Sequence, residues 1–114
     1  MTTQVTLSDL KARIAANPNL VLLEALPDKY YRDWHLPGAQ HMPHDQVRQR
    51  APALLPDKKA EIVVYCASAT CQNSHIAASL LEQMGYPNVS VFGGGKQDWQ
   101  QAGLPVEPRT AAVN

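Results

Sequence analysis

The hydrophobic positions of this chain form short continuous runs, separated by stretches with helical spacing. Three runs, LVLLEAL (20–26), EIVVYC (61–66) and VSVF (89–92), are rich in β-branched and other apolar residues, which predicts strands buried on both faces. Because helical segments alternate with these strands, the pattern predicts an α/β protein with a mainly parallel sheet covered by helices on both faces.

The clearest helical segment is NSHIAASLLEQMG (73–85), which Gly85 ends. One face of this predicted helix carries the apolar side chains of Ile76, Ala77, Leu80, Leu81 and Met84. This face is expected to pack against the sheet.

The other helices are marked mainly by their ends. A capping box of Thr6 and Asp9 starts a helix that stops at the Asn17-Pro18 break. A second helix, in HDQVRQRAPALLP (44–56), is expected to be broken around Pro52 and stopped by Pro56. The remaining segments are a short helix in PDKYYRDWH (27–35), a loop in HLPGAQHMP (35–43) and a short helix in KQDWQQAG (96–103).

Length and net charge limit the classes of protein to which this chain can belong. With 114 residues we expect a single domain, with a core from about 5 to 106 and an extended tail at 107–114 that frays. Ten basic and ten acidic residues cancel, so no basic surface for nucleic acid is predicted. The N-terminus has no apolar signal region, and no run approaches 18 apolar residues, so we expect a cytoplasmic protein that does not bind membranes.

Candidate chemistry centres on two cysteines. Cys66 and Cys71 lie in one short stretch and do not form a disulfide scaffold. His41 and His44 have the only metal-like spacing, without a third ligand nearby, so neither a metal nor another cofactor is predicted.

Cys66 follows a predicted strand and precedes a predicted helix. In open parallel sheets, ligands bind beyond the carboxyl ends of the strands. Free amides of the loop and of the helix N-terminus would lower the pKa of the thiol and make it a nucleophile. The alternative is a buried, inert thiol. The predicted anion-binding loop consists of Ala67, Ser68, Ala69, Thr70, Cys71, Gln72 and Asn73.

Several separate segments resemble the rhodanese-like family. LLEAL followed by KYYRDWHLPGAQHMP resembles the family's "L-I-D-V-R … G-H-I-P-G-A" segment, and VVYC (63–66) resembles the start of its active loop. MGYPNVSVFGGGKQDWQQAGLPV (84–106) resembles its later "M-G-Y-x-N-V … G-G … W … G-L-P-V" segment. The resemblance implies a three-layer sandwich around a five-stranded sheet. It also implies a sulfurtransferase in which Cys66 accepts sulfane sulfur as a persulfide and passes it to a thiophilic acceptor.

Three features of this chain depart from the family pattern. The loop from 67 to 73 has no arginine and is about two residues longer than in the family. We therefore expect that the protein binds thiosulfate weakly, or that it uses another donor such as a persulfide or polysulfide. Glu24 and Leu26 replace the aspartate and arginine of "D-V-R". Related phosphatases and arsenate reductases need an arginine at the end of the loop, where this chain has Gln72 and Asn73, so their chemistry is disfavoured.

Two residues near Cys66 leave alternatives open. Cys71 is either a resolving thiol that forms a loop disulfide, reset by thioredoxin or glutathione, or a small apolar residue beneath the loop. His75 either assists an incoming anion or is a solvated surface group. Ser74 is a candidate helix cap.

Three functions therefore remain: a sulfurtransferase, a non-catalytic or relay module that hands sulfur to a protein thiol, and a thiol-redox protein using Cys66 and Cys71. The expected partners are a small sulfur donor and a thiol acceptor. The sequence leaves the choice between monomer and homodimer open.

Overall fold

A computed structural model of the chain describes residues 3–107 as an α/β protein with a five-stranded sheet. All paired strands are parallel, and their spatial order is β1-β5-β4-β2-β3. The strands are β1 (Thr3–Val5), β2 (Val21–Glu24), β3 (Gln40–His41), β4 (Ile62–Tyr65) and β5 (Val89–Phe92). β4 is the central strand, and the three strands that the hydrophobic runs predicted lie side by side.

In residues 3–107 four helices connect consecutive strands and a fifth follows β5, as the sequence predicts. They are α1 (Leu7–Ala16), α2 (Asp28–Asp33), α3 (Val47–Leu54), α4 (Asn73–Gln83) and α5 (Gly95–Gln101). Thr6 and Asp9 form the expected capping box of α1. Within residues 3–107 no helix is long and apolar enough to cross a membrane.

The sheet separates two hydrophobic cores. Side chains alternate along β4, so Ile62 and Val64 enter one core while Val63 and Tyr65 enter the other. The first core is completed by α3 and α4, and the second by α1 and α5. This arrangement confirms the predicted sandwich of three layers.

The predicted break at Pro52 is wrong. Pro52 lies within α3, which continues to Leu54 and ends before Pro56, as expected for the second proline. A proline removes one amide donor from the helix, here the partner of the Arg48 carbonyl. Because Pro52 is exposed, water can satisfy that carbonyl, and the short helix persists.

The predicted apolar face of α4 needs correction at Ile76. This side chain is 44% exposed, whereas Ala77, Ala78 and Leu81 are fully buried. The small side chains of Ala77 and Ala78 let α4 pack closely against the sheet, and Ile76 lies outside this packed face. Ser74 belongs to the buried face instead, at 1% exposure.

Two strands were not predicted from the hydrophobic pattern. β1 has three residues, two of them exposed, and β3 has two residues inside the segment assigned to a loop. Both are edge strands that extend the sheet through pairing with β5 and β2. The predicted tail lies outside the described residues from 108 onward.

Candidate active site

Cys66 directly follows the central strand β4, at the carboxyl edge of the parallel sheet. The loop that it begins runs to Gln72, and α4 starts at Asn73 as predicted. The side chain is only 1% exposed. The predicted location of Cys66 at the end of a buried strand is therefore confirmed.

The start of this loop is held by the backbone of α5. The amide of Lys96 donates to the carbonyl of Cys66 at 2.9 Å, and the amide of Gln97 donates to the carbonyl of Ala67 at 2.9 Å. Gly95 has φ +57°, and a Cβ added there would lie 2.2 Å from the Cys66 carbonyl oxygen. The glycine at position 95 thus leaves room for the backbone beside the cysteine.

The thiol of Cys66 contacts two groups of its own loop and helix. Its Sγ lies 3.5 Å from the Cys71 carbonyl oxygen, which accepts the thiol proton, and 3.4 Å from Ser74 Oγ. Burial raises the pKa of the Cys66 thiol, and its interaction with the Cys71 side chain adds to the rise. The hydroxyl and amide of Ser74 oppose it by favouring the thiolate.

The expected lowering of this pKa by surrounding amides is therefore wrong for this conformation. A carbonyl oxygen of Cys71 faces the sulfur, and the Cys71 amide is instead bonded to the Ser68 carbonyl at 3.1 Å. An acceptor beside a buried sulfur stabilises the protonated thiol.

The rest of the loop is more open than Cys66. Ala67, Ala69, Thr70 and Gln72 are exposed, and the Ser68 and Thr70 hydroxyls are bonded to each other at 3.2 Å. The role of residues 67 to 73 in binding a donor stays a prediction.

Ser74 does not cap α4. The N-cap residue is Gln72, and no side chain makes a capping hydrogen bond there. Ser74 lies two positions inside this boundary, with its hydroxyl directed at Cys66.

His75 lies in the first turn of α4 and is half-buried. Within residues 3–107 no hydrogen bond or ion pair involves its side chain. Its auxiliary role stays a prediction.

The sequence predicted only part of the distribution of charged side chains around the loop. Lys96 is the first basic residue after Lys59, so no cationic side chain lies in the loop itself. Lys96 is 7% exposed, and its ammonium donates to the carbonyls of Tyr30, at 2.8 Å, and Trp34.

Lys96 also supplies the counter-charge of Glu24, at 3.2 Å from Oε1. The same oxygen accepts from the Tyr65 hydroxyl at 2.7 Å, and that hydroxyl accepts from the Leu36 amide at 3.1 Å. Burial raises the pKa of the Glu24 carboxyl and lowers the pKa of Lys96, while their attraction opposes both shifts. Sequence reasoning missed this pair, and its only signal was a lysine directly after the glycine run.

No group of three or more His, Cys, Asp or Glu side chains in residues 3–107 is arranged to hold a metal ion.

The family model of the rhodanese-like domain matches residues 6–102. The chain belongs to the rhodanese-like family. Two curated relatives of this rhodanese-like chain are a thiosulfate sulfurtransferase, PspE, from Escherichia coli, and a putative sulfur carrier protein, YrkF, from Bacillus subtilis. PspE is 34% identical over 71 residues and YrkF 27% identical over 96, which cover 62% and 84% of this chain. These matches span 65% of PspE and 50% of YrkF, less than two thirds of either.

A solved structure confirms the rhodanese-like fold. The crystal structure of the Alr3790 protein from Anabaena sp. superposes with a TM-score of 0.81 at 31% identity, covering 90% of this chain and 79% of the other. At the level of the family, these similarities support sulfurtransferase chemistry.

Proposed function

We propose that this protein is a sulfurtransferase that carries sulfane sulfur as a persulfide on Cys66. The observation that supports the proposal most strongly is the location of Cys66 after the central strand, in a loop anchored by α5. In an open parallel sheet this edge is where ligands bind. Membership in the rhodanese-like family points to the same chemistry.

The proposed reaction has two displacement steps. Cys66 first loses its proton to water, and the thiolate attacks the outer sulfur of a donor. With thiosulfate, the S–S bond of the donor breaks, sulfite leaves with the bonding electrons, and Cys66 holds a persulfide. A nucleophilic acceptor then attacks the outer sulfur, and the Cys66 thiolate is the leaving group. With cyanide, the product is thiocyanate.

The donor is proposed to be a persulfide or polysulfide in preference to thiosulfate. Thiosulfate is a dianion, and the loop from 66 to 73 has no cationic side chain to bind it. Each missing charge-assisted hydrogen bond is worth roughly 1.5–3 kcal/mol. Polysulfide and the persulfide group have no sulfonate oxygens that depend on such bonds, so these donors lose less in this neutral loop.

The test is the intact mass of the protein after separate incubation with thiosulfate, inorganic polysulfide and cysteine persulfide. We expect a gain of one sulfur, with polysulfide or cysteine persulfide more complete than with thiosulfate, and no gain for Cys66→Ser. Because the wild-type loop contains a second thiol, Cys71→Ser is measured as the matched variant that retains Cys66. Failure of every donor to add sulfur to Cys71→Ser would contradict the proposal.

A second candidate is relay of the persulfide to a protein thiol. The neutral loop favours it, because a protein partner does not depend on loop cations for binding, and one relative is named a putative sulfur carrier protein. Relay predicts a stable Cys66 persulfide with little thiocyanate formation from thiosulfate and cyanide. Sustained thiocyanate turnover would favour the enzyme that acts on small molecules.

A further inference from the structure

The second cysteine lies beside the first. The Cys66 Sγ is 3.5 Å from the carbonyl oxygen of Cys71, and the two thiol side chains interact. Both cysteines are free, and Cys71 is half-buried whereas Cys66 is buried. The two sulfurs therefore occupy one small space, with Cys71 nearer to solvent.

The loop is unequally constrained around these thiols. The carbonyls of Cys66 and Ala67 are bonded to the α5 backbone, which fixes the Cys66 side. The Cys71 side belongs to a turn closed by one bond from the Cys71 amide to the Ser68 carbonyl. Because Ala69, Thr70 and Gln72 are exposed, this turn can adjust without disturbing a core. A disulfide needs a Cα separation of about 4.4–6.8 Å, which a small movement of such a turn can meet.

We propose that Cys71 is a resolving thiol that converts the Cys66 persulfide to sulfide. The Cys71 thiol loses its proton to water, and its thiolate attacks the inner sulfur, which is Sγ of Cys66. The bond between that sulfur and the outer sulfur breaks, and hydrosulfide leaves with the bonding electrons and takes up a proton. A Cys66–Cys71 disulfide forms. The outer sulfur is reduced, and the two cysteines are oxidised.

Two low-molecular-weight thiols, or one protein dithiol, then supply two electrons and two protons, form a disulfide of their own and restore both cysteines. The overall activity is release of sulfide from sulfane sulfur at the expense of an external thiol. This inference rests on the proposed Cys66 persulfide and adds a product that simple transfer does not give.

The experiment uses the full chain, loaded with inorganic polysulfide and freed of excess donor without added thiol. Sulfide release and intact mass are then followed in the wild type and in Cys71→Ser and Cys71→Ala. Ser79→Ala is the control, since it changes an exposed position of α4 outside the loop and keeps both thiols. Thermal unfolding verifies that each variant is folded.

We expect the wild type and Ser79→Ala to release one equivalent of sulfide. Their mass should end two hydrogens below that of the dithiol protein, with a Cys66–Cys71 disulfide in the peptide map. Cys71→Ser and Cys71→Ala should retain the added sulfur until thiol is supplied. A wild-type persulfide as long-lived as that of both variants would overturn this inference and leave the sulfurtransferase proposal standing. No added sulfur on any of these proteins would overturn both.

Discussion

At the scale of single residues, the central feature is a buried thiol with an acceptor beside it. Cys66 donates to the Cys71 carbonyl, and burial raises the pKa of the Cys66 thiol. In this resting state the proposed persulfide carrier holds its sulfur mainly as the unreactive thiol. Because only the thiolate attacks, its reactivity depends on pH and on contacts that favour the anion.

The first prediction concerns alkylation of Cys66 by iodoacetamide. The rate should rise with pH along a curve displaced to higher pH than that of free cysteine, because the folded protein holds the thiol proton more tightly. Peptide mapping after timed alkylation, from neutral to strongly alkaline pH, separates Cys66 from Cys71. A rate that is already at its plateau near neutrality would contradict the raised pKa.

The second prediction concerns Ser74→Ala. Ser74 is buried, and its hydroxyl and amide favour the Cys66 thiolate. Loss of the hydroxyl should slow alkylation of Cys66 at a given pH by about tenfold, the equivalent of a hydrogen bond to a charged group worth ~1.5 kcal/mol. Ser79→Ala, at an exposed position of α4, is the control and should react like the wild type. Equal rates for both variants would remove Ser74 from the electrostatics of the site.

At the scale of secondary-structure elements, α5 positions the loop between β4 and α4. Its first amides bond the carbonyls of Cys66 and Ala67, and this approach requires a residue without a side chain at Gly95. The glycine-rich segment was one of the segments that resemble the family. Its physical role in this chain is to let the backbone of α5 contact the backbone of Cys66.

The third prediction compares Gly95→Ala with Gly103→Ala. Both glycines have positive φ, but a Cβ at Gly103 meets nothing within 4 Å. Gly103→Ala should cost about 1–2 kcal/mol in the free energy of unfolding from backbone strain alone. Gly95→Ala should cost roughly 3 kcal/mol or more, because the Cys66 carbonyl must also move.

The measurements are urea unfolding and persulfide loading of the folded variants. Loading of Gly103→Ala should match the wild type, and loading of Gly95→Ala should fall. Equal stability losses in the two variants would mean that α5 does not fix the cysteine backbone.

At the scale of the whole molecule, one buried ion pair joins distant parts of the chain behind the site. Glu24 ends β2, Tyr65 ends β4, and Lys96 lies in α5 and bonds carbonyls in and after α2. Glu24 is fully buried, and its Oε2 has no hydrogen-bond partner within the described residues. A buried charge left without its partner is strongly destabilising.

The fourth prediction is a double-mutant cycle of Glu24→Gln and Lys96→Met. Each single change should lower the free energy of unfolding at neutral pH by about 3–5 kcal/mol, and the double variant should lose less than the sum. Lys59→Met, at an exposed lysine, is the control and should change it by less than about 0.5 kcal/mol. Additive losses would mean that the pair does not act as a unit.

The pH dependence of Lys96→Met follows from the raised pKa of Glu24. The folded state holds the Glu24 carboxyl proton more tightly than the unfolded state does. The resulting contribution to the free energy of unfolding is therefore complete below the ordinary pKa of glutamate and is lost as pH rises through the pKa of Glu24 in the folded protein. Without the Lys96 ammonium, this loss of stability with rising pH should be larger. Urea unfolding in acid and at neutral pH should therefore give a smaller defect in acid, and an equal defect at both would contradict a charged Glu24.

The sequence by itself determined the parts of this protein that depend on local pattern. Continuous apolar runs identified β2, β4 and β5, because central parallel strands are buried on both faces. The spacing of cysteine, strand and helix also located Cys66 correctly. The edge strands β1 and β3 escaped detection because their residues are few and partly exposed, so only pairing with a neighbour defines them.

Only the tertiary structure decided the electrostatics of the site. The pKa of Cys66 depends on burial and on which end of a peptide group faces the sulfur, and neither follows from residue types in a loop. Likewise, Glu24 and Lys96 are 72 positions apart in the sequence and meet only because the sheet brings β2 beside β4 and α5 beneath the loop. Local pattern fixes which segments form the central strands, whereas charge and proton affinity depend on neighbours that the fold brings from elsewhere in the chain.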